Sequence, residues 1–232
     1  MRRFSAPPPR PARAWCALCR RAAVTCYCSE VKPFESRPRF VILIQPKESR
    51  HSFGTGRMAH RCLANSLLLV GVDFSANREV NAIIQDPKVW PVLLYPGPSS
   101  FNLSKFSAAQ REAFVPPGRD LVVFVPDGTW KSVRKMKRLS QNLQDLPSIS
   151  FDTSSPSRYR IRKQPQPNYT STLEAIHHVI DLLTPAAVRN STHSRPHDRL
   201  LEVFEFAVGR QLIVEEAWLR PPRLGNPLRC RR

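Results

Sequence analysis

Residues 121–143 read LVVFVPDGTWKSVRKMKRLSQNL. The run from Leu121 to Val125 is short, apolar and β-branched, which predicts a buried strand. Pro126 ends it, and Asp127-Gly128 reads as a turn. Trp130, Val133, Met136 or Lys137, and Leu139 then follow helical spacing. Lys131, Arg134, Lys135 and Arg138 fall at i, i+3, i+4 and i+7, one basic stripe on that helix. A carboxylate, Asp127, therefore sits just past the carboxyl end of a buried strand, where open α/β sheets bind ligands. A cationic face lies beside it. Position alone does not make Asp127 catalytic, because Asp-Gly after a strand also serves as a plain turn or a helix cap. Trp130 reads equally well as a core residue.

Outward from this stretch, residues 39–45 (RFVILIQ) predict a first buried strand and 91–95 (PVLLY) another. Residues 46–57 form a loop with Gly54-Thr55-Gly56-Arg57, a type of loop whose backbone N–H groups can approach a ligand. A helix is expected over 58–70, with Cys62 as a core thiol, while 73–86 is ambiguous. Residues 101–118 read as a polar loop with at most one helical turn, and 149–151 as a strand. Residues 158–163 (RYRIRK) read as a charged edge strand, placed either to face a phosphate backbone or to guard against aggregation. Ser171 and Glu174 form a capping box for a helix over 171–183, with Leu173, Ile176, Ile180 and Leu183 as its apolar face. His177 and His178 are expected at its surface or packed against it. A long amphipathic helix is expected over 197–217.

The 232 residues suffice for one full domain with small appendages, and 41% hydrophobic residues support a core. Lys and Arg number 36 against 18 Asp and Glu, a net charge of +18. Charge of that size points to a polyanionic partner, nucleic acid first. No apolar run of about eighteen residues occurs, so no membrane span is expected. The N-terminus lacks an apolar secretory core, which favours a cytoplasmic protein. Residues 1–14 and 219–232 read as basic arms, the first of them disordered. Cys16, Cys19, Cys26 and Cys28 within residues 15–30 are spaced C-x2-C-x6-C-x-C. Without a secretory signal, a structural Zn²⁺ site is favoured over two disulfides or four reduced thiols.

Asp127-Gly128-Thr129-Trp130 followed by Arg134-Lys135-Met136 resembles the signature of the DTW-domain family. Further motifs in the expected order extend the resemblance over most of the chain. These are the cysteine cluster; Glu48, Arg50, Thr55-Gly56-Arg57 and Asn65-Ser66; Tyr95-Pro96; Arg162-Lys163 with Pro165; and Ser171-Thr172-Leu173-Glu174-Ala175. Gln45 stands where the family pattern has His, and Gly54 where it has Asn. The resemblance implies a domain over residues 38–218 with a SPOUT-like α/β sheet flanked by helices, knotted or not, behind the small cysteine motif. It implies a tRNA-uridine aminocarboxypropyltransferase, which moves the 3-amino-3-carboxypropyl group of S-adenosylmethionine onto N3 of a tRNA uridine and releases methylthioadenosine.

On that resemblance Asp127 is the candidate base for the uracil N3 proton, or else the anchor of the donor's α-ammonium. Arg50 or Arg57 would hold the donor's carboxylate as a fork. Thr55, Gly56, Tyr95, Pro96, Thr129, Trp130, Thr172 and Glu174 complete the expected donor-binding set. Lys131, Arg134, Lys135, Arg138, Arg158, Arg160, Arg162 and Lys163 are the expected RNA contacts. Two competing functions are a SPOUT-type RNA methyltransferase using the same donor, and a non-catalytic zinc- and RNA-binding module. The second explains the charge and the cysteines but not the Asp127 tetrad with its companion motifs.

Overall fold

Among the described residues every strand pairing of the sheet is parallel, and β5 (Asp120–Asp127) lies at the sheet's centre. The computed structural model describes residues 14–153, 157–159, 161, 170–185 and 195–219, with side chains as far as 216. The other strands are β1 (Arg39–Ile44), β2 (Leu67–Val70), β3 (Val89–Leu94), β4 (Phe101–Asn102) and β6 (Ser148–Ser150). Their order is β2-β1-β5-β3-β6-β4. The helices are α1 (Pro46–Ser49), α2 (Thr55–Cys62), α3 (Arg78–Gln85), α4 (Ala108–Glu112), α5 (Trp130–Leu139), α6 (Gln141–Gln144) and α7 (Thr172–Leu183). The last, α8, spans Asp198–Leu219.

Alternation along the strands sends side chains to two separate cores. Phe40, Ile42, Val123 and Val125 face Met58 and Ala59 of α2, Ile176 and Ile180 of α7, and Val203 and Phe204 of α8. Val41, Leu43, Val122 and Phe124 face Val80, Met136 and Leu143 on the other side. A parallel sheet covered on both faces needs continuous apolar strands, and β1 and β5 supply them. The α/β expectation therefore holds.

Several local expectations give way to tertiary contacts. The helix expected over 58–70 ends at Cys62, and Leu67–Val70 is a strand paired with β1. Asn65 causes the break: its Oδ1 accepts from Ser36 N at 3.1 Å and its Nδ2 donates to Ser36 O at 2.8 Å. The edge strand expected at 158–163 does not form at Arg158, Tyr159 or Ile161. There the backbone donors go to side chains, Arg158 N to Glu174 Oε1 at 2.7 Å and Tyr159 N to Ser157 Oγ at 3.1 Å. The polar stretch 101–118 holds β4, a 3-10 turn at Leu103–Lys105 and α4 rather than one turn of helix. The ambiguous segment 73–86 contains α3, capped by Asn77. The disordered arm and most of the basic tail (1–13 and 220–232), and Arg160, Arg162 and Lys163, lie outside the described residues.

Candidate functional site

At the carboxyl edge of the sheet the chain leaves β1 towards β2 on one side and leaves β5 towards β6 on the other. The two departing loops diverge and open a crevice between them, the usual ligand position in such sheets. Asp127 is the last residue of β5, opposite Ile44, and is buried.

Two helix N-termini converge on its carboxylate. Thr172, the first residue of α7, donates its hydroxyl to Asp127 Oδ1 at 2.5 Å. Gly56, the second residue of α2, lies against the other oxygen: a Cβ there would come 2.3 Å from Oδ2. Only glycine allows this approach. No side chain caps α2, whose N-cap is Gly54, so the positive end of that helix dipole faces the carboxylate. Gln45 ties the neighbouring loop to the same point by donating its backbone N–H to Asp127 O at 3.0 Å.

Beside this cluster is a cavity of about 320 Å³, whose walls include Tyr95, Pro96, Gly128, Trp130, Thr153 and Thr172. Trp130 is 38% exposed and meets Tyr95 edge to face at 6.5 Å between centroids. Lys137 Nζ lies 4.5 Å above the Tyr95 ring, an attraction of cation to π face. Thr172 thus connects the cavity wall with the buried Asp127. A larger cavity, about 880 Å³, lies at the opposite, amino end of the strands, near Arg39 and Asp120. It shares no residue with the Asp127 cluster.

The remaining expected residues fall into two groups. Thr129 caps α5, accepting from Ser132 N at 3.3 Å, and Thr55 opens α2 as a buried residue. Glu174 completes the α7 capping box with Ser171 and also accepts from Ser157 Oγ at 2.7 Å. Arg57 closes its own loop, donating to Ser49 O at 2.6 Å and to His51 O. Arg50 is exposed at the end of α1 and does not line the 320 Å³ cavity. Lys131, Arg134, Lys135 and Arg138 are all exposed on α5, which starts at the cavity rim. Arg158 pairs with Glu205. Sequence reading missed Ser150, Phe151, Thr153 and Thr170 in the cavity wall. Their only sequence signal is their place after a short strand or before a cap.

The four N-terminal cysteines converge as expected. Their sulfur atoms lie within 4.8 Å of one another, and all four are free thiols. Hydrogen bonds from the Cys19 and Leu18 backbone hold the Cys16 thiol down at about 6, while burial pushes Cys28 up to about 12. The cluster has the donor set and closeness needed to hold a metal ion. Cys19 and Tyr27 join it to the apolar core shared with α2 and α8.

A parallel α/β protein with a carboxylate clasped at its central strand end, and a cysteine cluster at its N-terminus, is the class that fold and site define. The DTW domain profile matches residues 13–212, and the chain belongs to that family. Among named proteins it is similar to tRNA-uridine aminocarboxypropyltransferase 2 of Mus musculus, 25% identical over 211 residues, covering 89% of this chain and 68% of the relative. The Macaca fascicularis protein of the same name is 25% identical over 215 residues, covering 91% and 70%. No solved structure matches.

Proposed function

We propose that the chain is a tRNA-uridine aminocarboxypropyltransferase that uses S-adenosylmethionine and modifies uridine at N3. The carrying observation is the Asp127 carboxylate, clasped by Gly56 and Thr172 beside a cavity walled by Tyr95 and Trp130. Membership of the DTW family and the names of its relatives support the reading.

The cavity suits such a donor: aromatic rings for a planar base, and hydroxyls with a carboxylate behind them for a polar amino acid end. When bound, the donor supplies an electrophilic carbon beside a sulfonium, with a neutral thioether as leaving group. The harder half is the nucleophile, since uracil N3–H must lose its proton as the N–C bond forms. Thr172 stands between the cavity and Asp127, so its hydroxyl can accept that proton while passing its own to Asp127 Oδ1. Two helix N-termini and a glycine contact fix the carboxylate for this task, which makes positioning the main catalytic contribution. The exposed α5 stripe offers the tRNA phosphates a cationic surface at the rim.

Zinc is the proposed metal of the cysteine cluster. A tetrahedron with Zn–S arms of about 2.3 Å has edges of about 3.8 Å. The Cys16–Cys28 and Cys19–Cys26 sulfur separations are both 3.7 Å. Four thiolates close the site, so its role is structural.

Incubation with bulk tRNA and labelled S-adenosylmethionine, followed by nucleoside mass spectrometry, tests the reading. Methylthioadenosine and a uridine carrying the aminocarboxypropyl group are expected. S-adenosylhomocysteine with a methylated base would instead identify a methyltransferase. Asp127→Asn should keep the fold and tRNA affinity while cutting the rate at least about a hundredfold. A donor affinity left intact in that variant marks Asp127 as the base; a large loss marks it as the anchor of the donor's ammonium.

A further inference from the structure

Away from Asp127, the cysteine segment and α8 enclose a third cavity of about 630 Å³. Its walls include Trp15, Arg21, Val24, Ser52, Gln211 and Val214, and no acidic side chain among the described residues lines it. Arg21 is only 2% exposed. It donates from Nε to Thr25 O at 2.9 Å and from Nη2 to Gln211 Oε1 at 2.7 Å. Its Nη1 is buried with no hydrogen-bond partner, and no carboxylate pairs with it among the described residues.

The rim is aromatic and apolar. Trp15 is 64% exposed, Leu18 62% and Val24 60%, all on the short cysteine segment. Arg20 is exposed on the same turn, and Arg210 reaches it from α8, donating to Val24 O at 3.2 Å. An exposed indole among exposed arginines, at the mouth of a pocket, is a combination that binds an unstacked nucleotide.

One loop links the cavity to the Asp127 site. The Arg21 guanidinium stacks on Phe53, 4.5 Å from the ring centroid, and Ser52 lines the cavity. The same loop continues into Thr55 and Gly56, which touch the Asp127 cluster.

We propose that the mouth of this cavity is a second RNA site, taking one unstacked nucleotide of the substrate tRNA: Trp15 stacks its base, and the exposed Arg20 and Arg210 supply the positive charge for its phosphate. The proposal rests on tRNA being the substrate and adds a contact on the back of the catalytic loop.

The test uses the full chain, a tRNA transcript and a short uridine oligonucleotide. Trp15→Ala should weaken binding of both about 5- to 150-fold, the range for loss of one base stack. Trp15→Phe should restore most of it. The salt slope should stay unchanged, because no phosphate contact is removed. RNA carrying photoreactive uridines should cross-link to the peptide containing Trp15. Wild-type affinity in Trp15→Ala, with cross-links elsewhere, overturns the proposal, and the face then receives a protein. Nucleoside mass spectrometry on the same variants separates the two readings. RNA binding through Trp15 without uridine modification sinks the transferase and leaves the site standing. Modification with unchanged Trp15→Ala binding sinks the site alone.

Discussion

Gly56→Ala probes the clasp around Asp127 with a single methyl group. The new Cβ would stand 2.3 Å from Asp127 Oδ2, 2.8 Å from its Cγ and 3.2 Å from Ile42 Cγ2. Carbon and oxygen in ordinary contact need about 3.4 Å, so carboxylate and helix must separate by about 1 Å. Ile42 is fully buried in β1 and cannot give way. The carboxylate must therefore move, against its bond to Thr172. In stability, alanine gains up to about 1 kcal/mol over glycine within a helix. Overpacking costs about 1–3 kcal/mol, which leaves a net loss of about 0–2 kcal/mol. In rate, misplacing a reacting group by about 1 Å costs about a hundredfold. Urea unfolding should thus show a folded protein with a modestly lower midpoint. Nucleoside mass spectrometry at saturating tRNA and donor should show uridine modification falling about a hundredfold. A folded Gly56→Ala protein that works near the wild-type rate would refute the idea that this contact positions the reaction.

Thr172→Val keeps side-chain shape but removes the hydroxyl between cavity and Asp127; the rate should fall about 10- to 100-fold and Thr172→Ser should recover it. Equal rates for the Val and Ser variants exclude a relay. Purified protein should contain one zinc per chain by elemental analysis, and Cys26→Ser or chelation should lower its melting temperature; metal-free protein that melts unchanged contradicts a structural zinc. Burial holds His177, His178 and His60 below the ordinary histidine range, with the charge of Arg61 adding to the effect at His60. The unfolded chain therefore takes up protons first as pH falls below about 6.5, so stability is full above that value and declines below it, by at most about 1.4 kcal/mol per pH unit for each histidine. Urea midpoints at descending pH check this, and a His60→Gln, His178→Gln double variant should flatten the slope; a midpoint that holds or rises on acidification contradicts it.

Elements whose patterns are strong within a few residues were legible in the sequence. The β-branched run at Leu121, the strand at Phe40 and the Ser171–Glu174 capping box all form where expected. Leu67 to Val70 misled, because four apolar residues after a helical stretch read as its continuation. The break comes from Asn65 binding Ser36, 29 positions away. Tyr159 misled for a similar reason: its alternating neighbours read as a strand, yet its hydroxyl reaches Phe53 O across 106 positions. Within the site, Asp127 and its helix cap were visible as a local motif. The clasp itself was not, since Thr172 lies 45 positions from Asp127 and Gly56 meets it only once β1 and β5 pair.

The place of β5 in the sheet also bears on how the molecule is made. β1 and β3 never touch as neighbours; each is joined to the other only through β5. Until Asp120–Asp127 has been synthesised, the earlier strands can form only partial sheets with bare inner edges. Such edges invite pairing with other chains, and their long-range closure is slow. Insertion of β5 closes the gap and sets Asp127 beside Ile44 in the same step. A nascent chain therefore cannot complete its sheet without also setting this carboxylate in register, and premature arrest upstream of β5 should yield an aggregation-prone fragment.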